Sequence, residues 1–156
     1  MFNLKKCDPN LKGELGEVIA RFHLKYAFKP SDETVFEKMI KRRKIDKEKL
    51  KFLESNRWTI DLIKLDLNQD CLKNIIIYEV KLINYPQHPD YPKALKITSN
   101  EINVLKTAQK MGFDVKIIKI LLFDNWRYDI RVHDFQSQRF IISDNGRYSK
   151  IPEVKG

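Results

Sequence analysis

Asp61, Glu79 and Lys81 are the residues of this chain whose types and spacing offer chemistry. The run Ile75-Ile76-Ile77-Tyr78 ends in Glu79-Val80-Lys81, eighteen residues beyond Asp61 in a second strand-like segment, Trp58-Thr59-Ile60-Asp61-Leu62-Ile63. Strand side chains alternate faces, so Glu79 and Lys81 project from the same side of a sheet. A carboxylate and an ammonium at the end of an apolar strand are costly to bury unless compensated, and a divalent cation shared with Asp61 compensates them. Such a cation neutralises charge developing on phosphate oxygens and activates the attacking water, so the expected chemistry is metal-dependent hydrolysis of a phosphodiester. The competing reading is a cross-strand ion pair on a solvated sheet face, worth at most roughly 1 kcal/mol.

The elements that must position these groups are visible as periodicities. Leu15, Val18, Ile19, Phe22 and Tyr26 recur at helical spacing between Gly13 and Phe28, a segment closed by Pro30. Ser31-Asp32-Glu33 is a helix cap, and Val35, Phe36, Met39 and Ile40 form the stripe that follows, with one long helix or two broken near Ile45 and ending near Ser55. Strands are expected over Arg57 to Leu67 and Asn74 to Leu82, joined as a hairpin through Asn68-Gln69-Asp70. After the proline-rich Tyr85 to Pro92 loop, Thr98-Ser99-Asn100-Glu101 is a capping box for a helix reaching about Met111, with Gly112 as its stop. Asp114 to Phe123, Trp126 to Phe135, Arg139 to Ile142 and Arg147 to Ile151 read as strands, the last two flanking the Asp144-Asn145-Gly146 turn.

The expected fold class is therefore α/β, with a mixed β-sheet flanked by helices and an added β-rich C-terminal tail. The 156 residues, 42% of them apolar with only 5 Gly, fit a single domain over 1–156, its core about 13–123 and its tail about 124–156. Lys and Arg total 30 against 21 Asp and Glu, a formal charge of +9 that favours an anionic partner such as nucleic acid. Cys7 and Cys71 lack any CxxC spacing, so neither a zinc site nor a disulfide framework is implied and a reduced, intracellular setting is expected. No apolar run approaches a membrane span and the first residues are too short and polar for a signal peptide, so a cytoplasmic protein is expected.

Helix, strand with Asp, strand ending in Glu-x-Lys, helix, strand: this order resembles the core of the PD-(D/E)xK nuclease superfamily, the restriction-endonuclease-like fold, over roughly residues 13 to 123. The resemblance implies that Asp61 is the first metal-binding acid, Glu79 the second, and Lys81 the lysine that positions or activates water. Glu17 on the first helix matches a helical acid that supplements the metal site in several branches, with Glu14 the competing choice. Ile60 stands where the name-giving proline would be. The implied cofactor is Mg²⁺, with Mn²⁺ as a substitute, and the implied partner is DNA, cleaved as by an endonuclease. The Lys- and Ile-rich composition suits an AT-rich genome, and by analogy the resemblance extends to small nucleases of archaeal viruses. The reading from another class is a noncatalytic nucleic-acid-binding protein using the same basic surface.

Other groups are candidates for supporting roles. Lys41-Arg42-Arg43-Lys44 is a basic run able to grip phosphates or simply to solvate a helix face. Glu101 reads as a capping residue rather than a catalytic one, while Asn100, Asn103 and Lys106 lie on the same helix. His23, His88 and His133 have no partner spacing for a metal, and the loop holding His88 reads as a stiffened crossover. Trp126, Arg127, Tyr128, Arg131 and Arg139 interleave aromatic and basic groups, fit for nucleic-acid contact or for the interface of a homodimer.

Overall fold

A computed structural model of the chain describes residues 9–69, 71–84, 94–123, 127–144, 147–148 and 154–155. The strands at its centre explain the run of isoleucines. β1 (Leu62–Asn68) and β2 (Cys71–Asn84) form the expected antiparallel hairpin, with Leu62 opposite Tyr78 and Gln69 at φ 48° in the turn. β2 also pairs in parallel with β4 (Asp114–Leu122), and β4 pairs antiparallel with β5 (Tyr128–Asp134), giving a mixed sheet in the order β1-β2-β4-β5. A central strand covered on both faces needs apolar side chains on both, which Ile75, Ile76 and Ile77 supply.

Helices cover the two faces of this sheet. On one, Ile63, Leu65, Ile75, Ile77, Val115 and Ile117 pack with residues of α2 (Glu33–Phe36), the π-helical turn Glu37–Lys41, α3 (Lys47–Ser55) and α4 (Ser99–Lys110). On the other, Leu62, Tyr78, Ile118 and Ile120 receive Ala20 of α1 (Pro9–His23). A second sheet joins β3 (Ala94–Ile97) in parallel to β6 (Arg139–Asp144), which pairs antiparallel with β7 (Arg147–Tyr148) and β8 (Val154–Lys155). Leu95, Ile97, Phe135 and Phe140 belong to the first core cluster. The C-terminal segment is thus no appendage: it supplies β5 to the main sheet and two buried phenylalanines to the shared core, each worth about 2 kcal/mol in apolar burial.

Three expectations are corrected. α1 stops at His23 rather than Phe28, because Tyr26 adopts φ 67° and Phe28 turns away to form an antiparallel bridge with Ile63. The packed stripe of α1 is also different: Val18, Phe22 and Tyr26 are exposed, and contact is made through Gly16, Ile19 and Ala20. A Cβ on Gly16 would lie 3.3 Å from Leu82 Cβ, tighter than an ordinary contact, so glycine eases this close approach to β2. Finally, β1 begins at Leu62, not Arg57. The amides of Thr59 and Ile60 both bond to the Asn56 carbonyl, and Arg57 Nε donates to Pro30 O at 3.0 Å, so this stretch is a tethered turn with no strand partner among the described residues.

The helical region from Ser31 to Ser55 is two helices broken at residues 42–46, with Asp32 and Asp46 accepting from the amides of Val35 and Lys49 as N-caps. The capping box of α4 is present as expected: Glu101 N donates to Thr98 Oγ1 and Thr98 N donates to Glu101 Oε1. Asp144 of β6 reinforces it, accepting from the Ser99 amide at 2.8 Å and from the Ser99 hydroxyl. Gly112 ends α4 at φ 96°, a left-handed conformation that favours glycine. β3 was not anticipated in the sequence. Residues 85–93, including His88, and Trp126 lie outside the described residues.

Candidate functional site

Asp61 sits immediately before β1, and the β1–β2 register, extended by one pair, sets it opposite Glu79. Its Oδ2 accepts from the Val80 amide at 2.8 Å. Glu79 and Lys81 share a face of β2 as expected, with Lys81 Nζ 3.3 Å from Glu79 Oε1. Glu79 is buried, only 1% exposed. Lys81 Nζ also lies 3.8 Å from Glu101 Oε2, at the first turn of α4. The structure therefore brings together Asp61, Glu79, Lys81 and a residue read from the sequence as a cap alone. Glu101 is both: one carboxylate closes the capping box and faces the lysine.

The electrostatics follow from packing acids into a half-dry site. Burial raises the Asp61 carboxyl to about 6; the Val80 amide opposes the rise, Glu17 adds to it, Lys81 opposes it and Glu101 adds to it. Burial likewise pushes Glu79 well above the ordinary carboxylate value, with the Asp61 charge next in size. Glu101 goes the other way: burial would raise it, but the neighbouring Glu79 carboxyl, Lys81 and the Thr98 cap outweigh that and hold it below the ordinary carboxylate value. Burial disfavours the Lys81 ammonium, yet Glu79, Glu101 and Asp61 overcome it and hold its pKa above the ordinary value.

Glu17 approaches because Gly16 lets α1 lie close to Val80 and Leu82; its carboxylate meets Lys29 at 2.7 Å. Glu14 is exposed. Among the described residues no three His, Cys, Asp or Glu side chains gather closely enough to ligate one ion. Asp61, Glu79 and Glu101 offer only oxygen, the donor type that hard divalent cations take, and they carry more potential negative charge than Lys81 offsets.

The basic run is not brought to this cluster. Lys41 pairs with Glu37 at 3.8 Å and Glu54 at 3.6 Å, and Arg43 Nε donates to Met39 O. Lys44 lines a cavity beside Leu72, Asn74, Ile75 and Phe113, so it meets β2 four or more residues before Glu79, roughly 13 Å along the strand. Arg42 is exposed. Among the helix residues, Asn100 Nδ2 donates to Thr59 Oγ1 at 3.3 Å, tying the first turn of α4 to the turn that leads into Asp61. His23 Nε2 is 2.9 Å from the Tyr128 hydroxyl, and His133 lies on β5.

No family model, no curated protein and no solved structure matches the chain. Among the described residues, no helix is long and apolar enough to cross a membrane.

Proposed function

We propose that this chain is a divalent-metal-dependent deoxyribonuclease, acting as an endonuclease of the PD-(D/E)xK kind. The observation that carries the reading is the bond from Val80 N to Asp61 Oδ2, which seats the first acid against the backbone between Glu79 and Lys81. Asp61 and Glu79 are the proposed metal-holding carboxylates, with Glu101 beside them and Glu17 at longer range. When bound, Mg²⁺ or Mn²⁺ supplies charge neutralisation at the phosphate and a more acidic water.

The residues themselves do the rest. Asp61 and Glu79 would hold the ion as carboxylates, the form that burial disfavours while the site is unneutralised, with Glu101, held below the ordinary carboxylate value, beside them. Lys81 stays charged across the neutral range, so its ammonium donates hydrogen bonds that orient the attacking water and offset charge on the scissile phosphate. Burial of Glu79 excludes bulk water from behind the attack site.

Nicking of supercoiled DNA by purified protein with Mg²⁺ or Mn²⁺, stopped by chelator, tests this reading. The noncatalytic alternative draws support from Glu101, whose cap and Lys81 contacts also suit a purely structural lock. DNA binding without metal-dependent cleavage would select it.

A further inference from the structure

The register of the main sheet aligns three cations. Lys81 on β2 is paired with Lys119 on β4, and Lys119 with Arg131 on β5. Residues opposite one another in adjoining strands share a face, so Lys81, Lys119 and Arg131 form a rank running from the proposed active site to the β5 edge. Spaced by about 4.8 Å per strand, the rank carries Arg131 roughly 10 Å from Lys81. On the same face, Glu79 is paired with Ile117 and Ile117 with His133, whose Nε2 is buried without a hydrogen-bond partner.

Like charges set opposite each other destabilise a sheet. Here one of them, Lys119, is only 4% exposed. Burial and then the Arg131 charge hold the Lys119 ammonium below its ordinary pKa, and burial, Lys119 and Arg131 lower His133 in turn. Arg131 lies 3.5 Å from Asp129 in an exposed ion pair, a contact that a phosphate can displace at little cost. The rank thus has a buried positive charge at its centre and a reachable guanidinium at its rim, on the face that holds Glu79 and Lys81.

We infer that Arg131, backed by Lys119, binds a DNA backbone phosphate next to the scissile one, and that efficient cleavage needs a charged linkage at that position. This inference rests on the nuclease reading. Arg131 makes the direct, bidentate contact, and Lys119 contributes its charge from beneath.

A chemical version of a double-mutant cycle tests it. Short oligodeoxynucleotides with a mapped cleavage position, each carrying one uncharged methylphosphonate near that position, are cleaved with Mg²⁺ by the wild type, Arg131→Gln and Arg131→Lys. One neutral linkage adjacent to the cut should slow the wild type about tenfold, have no further effect on Arg131→Gln, and regain a penalty in Arg131→Lys. With Ca²⁺ in place of Mg²⁺, Arg131→Gln should also lower the slope of log affinity against log salt by about one. Equal penalties in wild type and Arg131→Gln at every linkage would overturn the Arg131 subsite while leaving the nuclease reading intact. Absence of any cleavage by the wild type overturns the nuclease reading and this inference with it.

Discussion

Asp61 is bonded to Val80: its Oδ2 accepts the amide hydrogen of the residue between Glu79 and Lys81 at 2.8 Å. The bond links a residue outside any strand to the centre of β2, and it fixes the separation of the two acids through backbone rather than through a flexible side chain. Preorganisation of this kind is what a metal-holding pair requires.

Glu79→Gln should reduce metal-dependent cleavage at least about 100-fold while leaving DNA affinity in Ca²⁺ unchanged or slightly tighter, because it removes one proposed ligand charge and no cation. Parallel cleavage assays and binding titrations measure both quantities. Normal cleavage by this variant would remove Glu79 from the site.

Glu101→Gln separates the two roles of Glu101. Glutamine serves at this position of a capping box, so melting should change by less than about 1 kcal/mol. The charge facing Lys81 and Glu79 is lost, however, and cleavage should fall about tenfold or more with weaker apparent Mg²⁺ affinity. Unchanged metal dependence would leave Glu101 as a cap only.

Lys81→Met keeps most of the stem's packing and removes the ammonium. Cleavage should drop steeply, by about 100-fold, while Mg²⁺ still binds as followed by calorimetry. Lys81→Arg should rescue poorly, since a planar guanidinium places its charge differently. Near-normal rates in both variants would return Lys81 to the role of a structural ion-pair partner.

The buried acids also set a pH dependence. Asp61, raised to about 6 in the folded chain from 3.8, destabilises the fold when ionised, so its penalty is full above pH 6 and disappears as pH falls toward 4; Glu79 acts in the same direction. In chelator, the protein should therefore gain stability between pH 8 and pH 5, by about 1 kcal/mol from Asp61. Asp61→Asn should flatten that profile, and Mg²⁺ should stabilise the wild type more at pH 8 than at pH 5. Thermal melts across this range provide the measurement.

Much of the architecture was legible because its signals are local. The Thr98 to Glu101 box, the Gly112 stop and the apolar β2 run each declare themselves within a few residues, and so did the shared face of Glu79 and Lys81. What failed depended on partners distant in the chain. Arg57 spends its side chain on Pro30 and Ser31, which no strand propensity at Trp58 and Thr59 reveals. The packing face of α1 was misread because its contact is made by small residues, Gly16 and Ala20, while larger ones such as Phe22, 79% exposed, face outward. The double duty of Glu101 was hidden for a similar reason: only the crossover from β2 through α4 to β4 delivers the capping residue to Lys81. The Lys119 and Arg131 rank needs the β2-β4-β5 register, which periodicity does not supply.

Among the described residues β5 is the outer strand of the main sheet, and an outer strand offers its free edge to any other chain that arrives. Its alternate residues on one face, Asp129, Arg131 and His133, oppose recruitment of a second strand, whereas Tyr128 and Val132 are exposed and apolar on the other. The charges that face the proposed phosphate path therefore double as gatekeepers against self-association. Replacing Arg131 by valine instead of glutamine is expected to show first as light scattering in concentrated samples, well before any change in the temperature at which the chain unfolds.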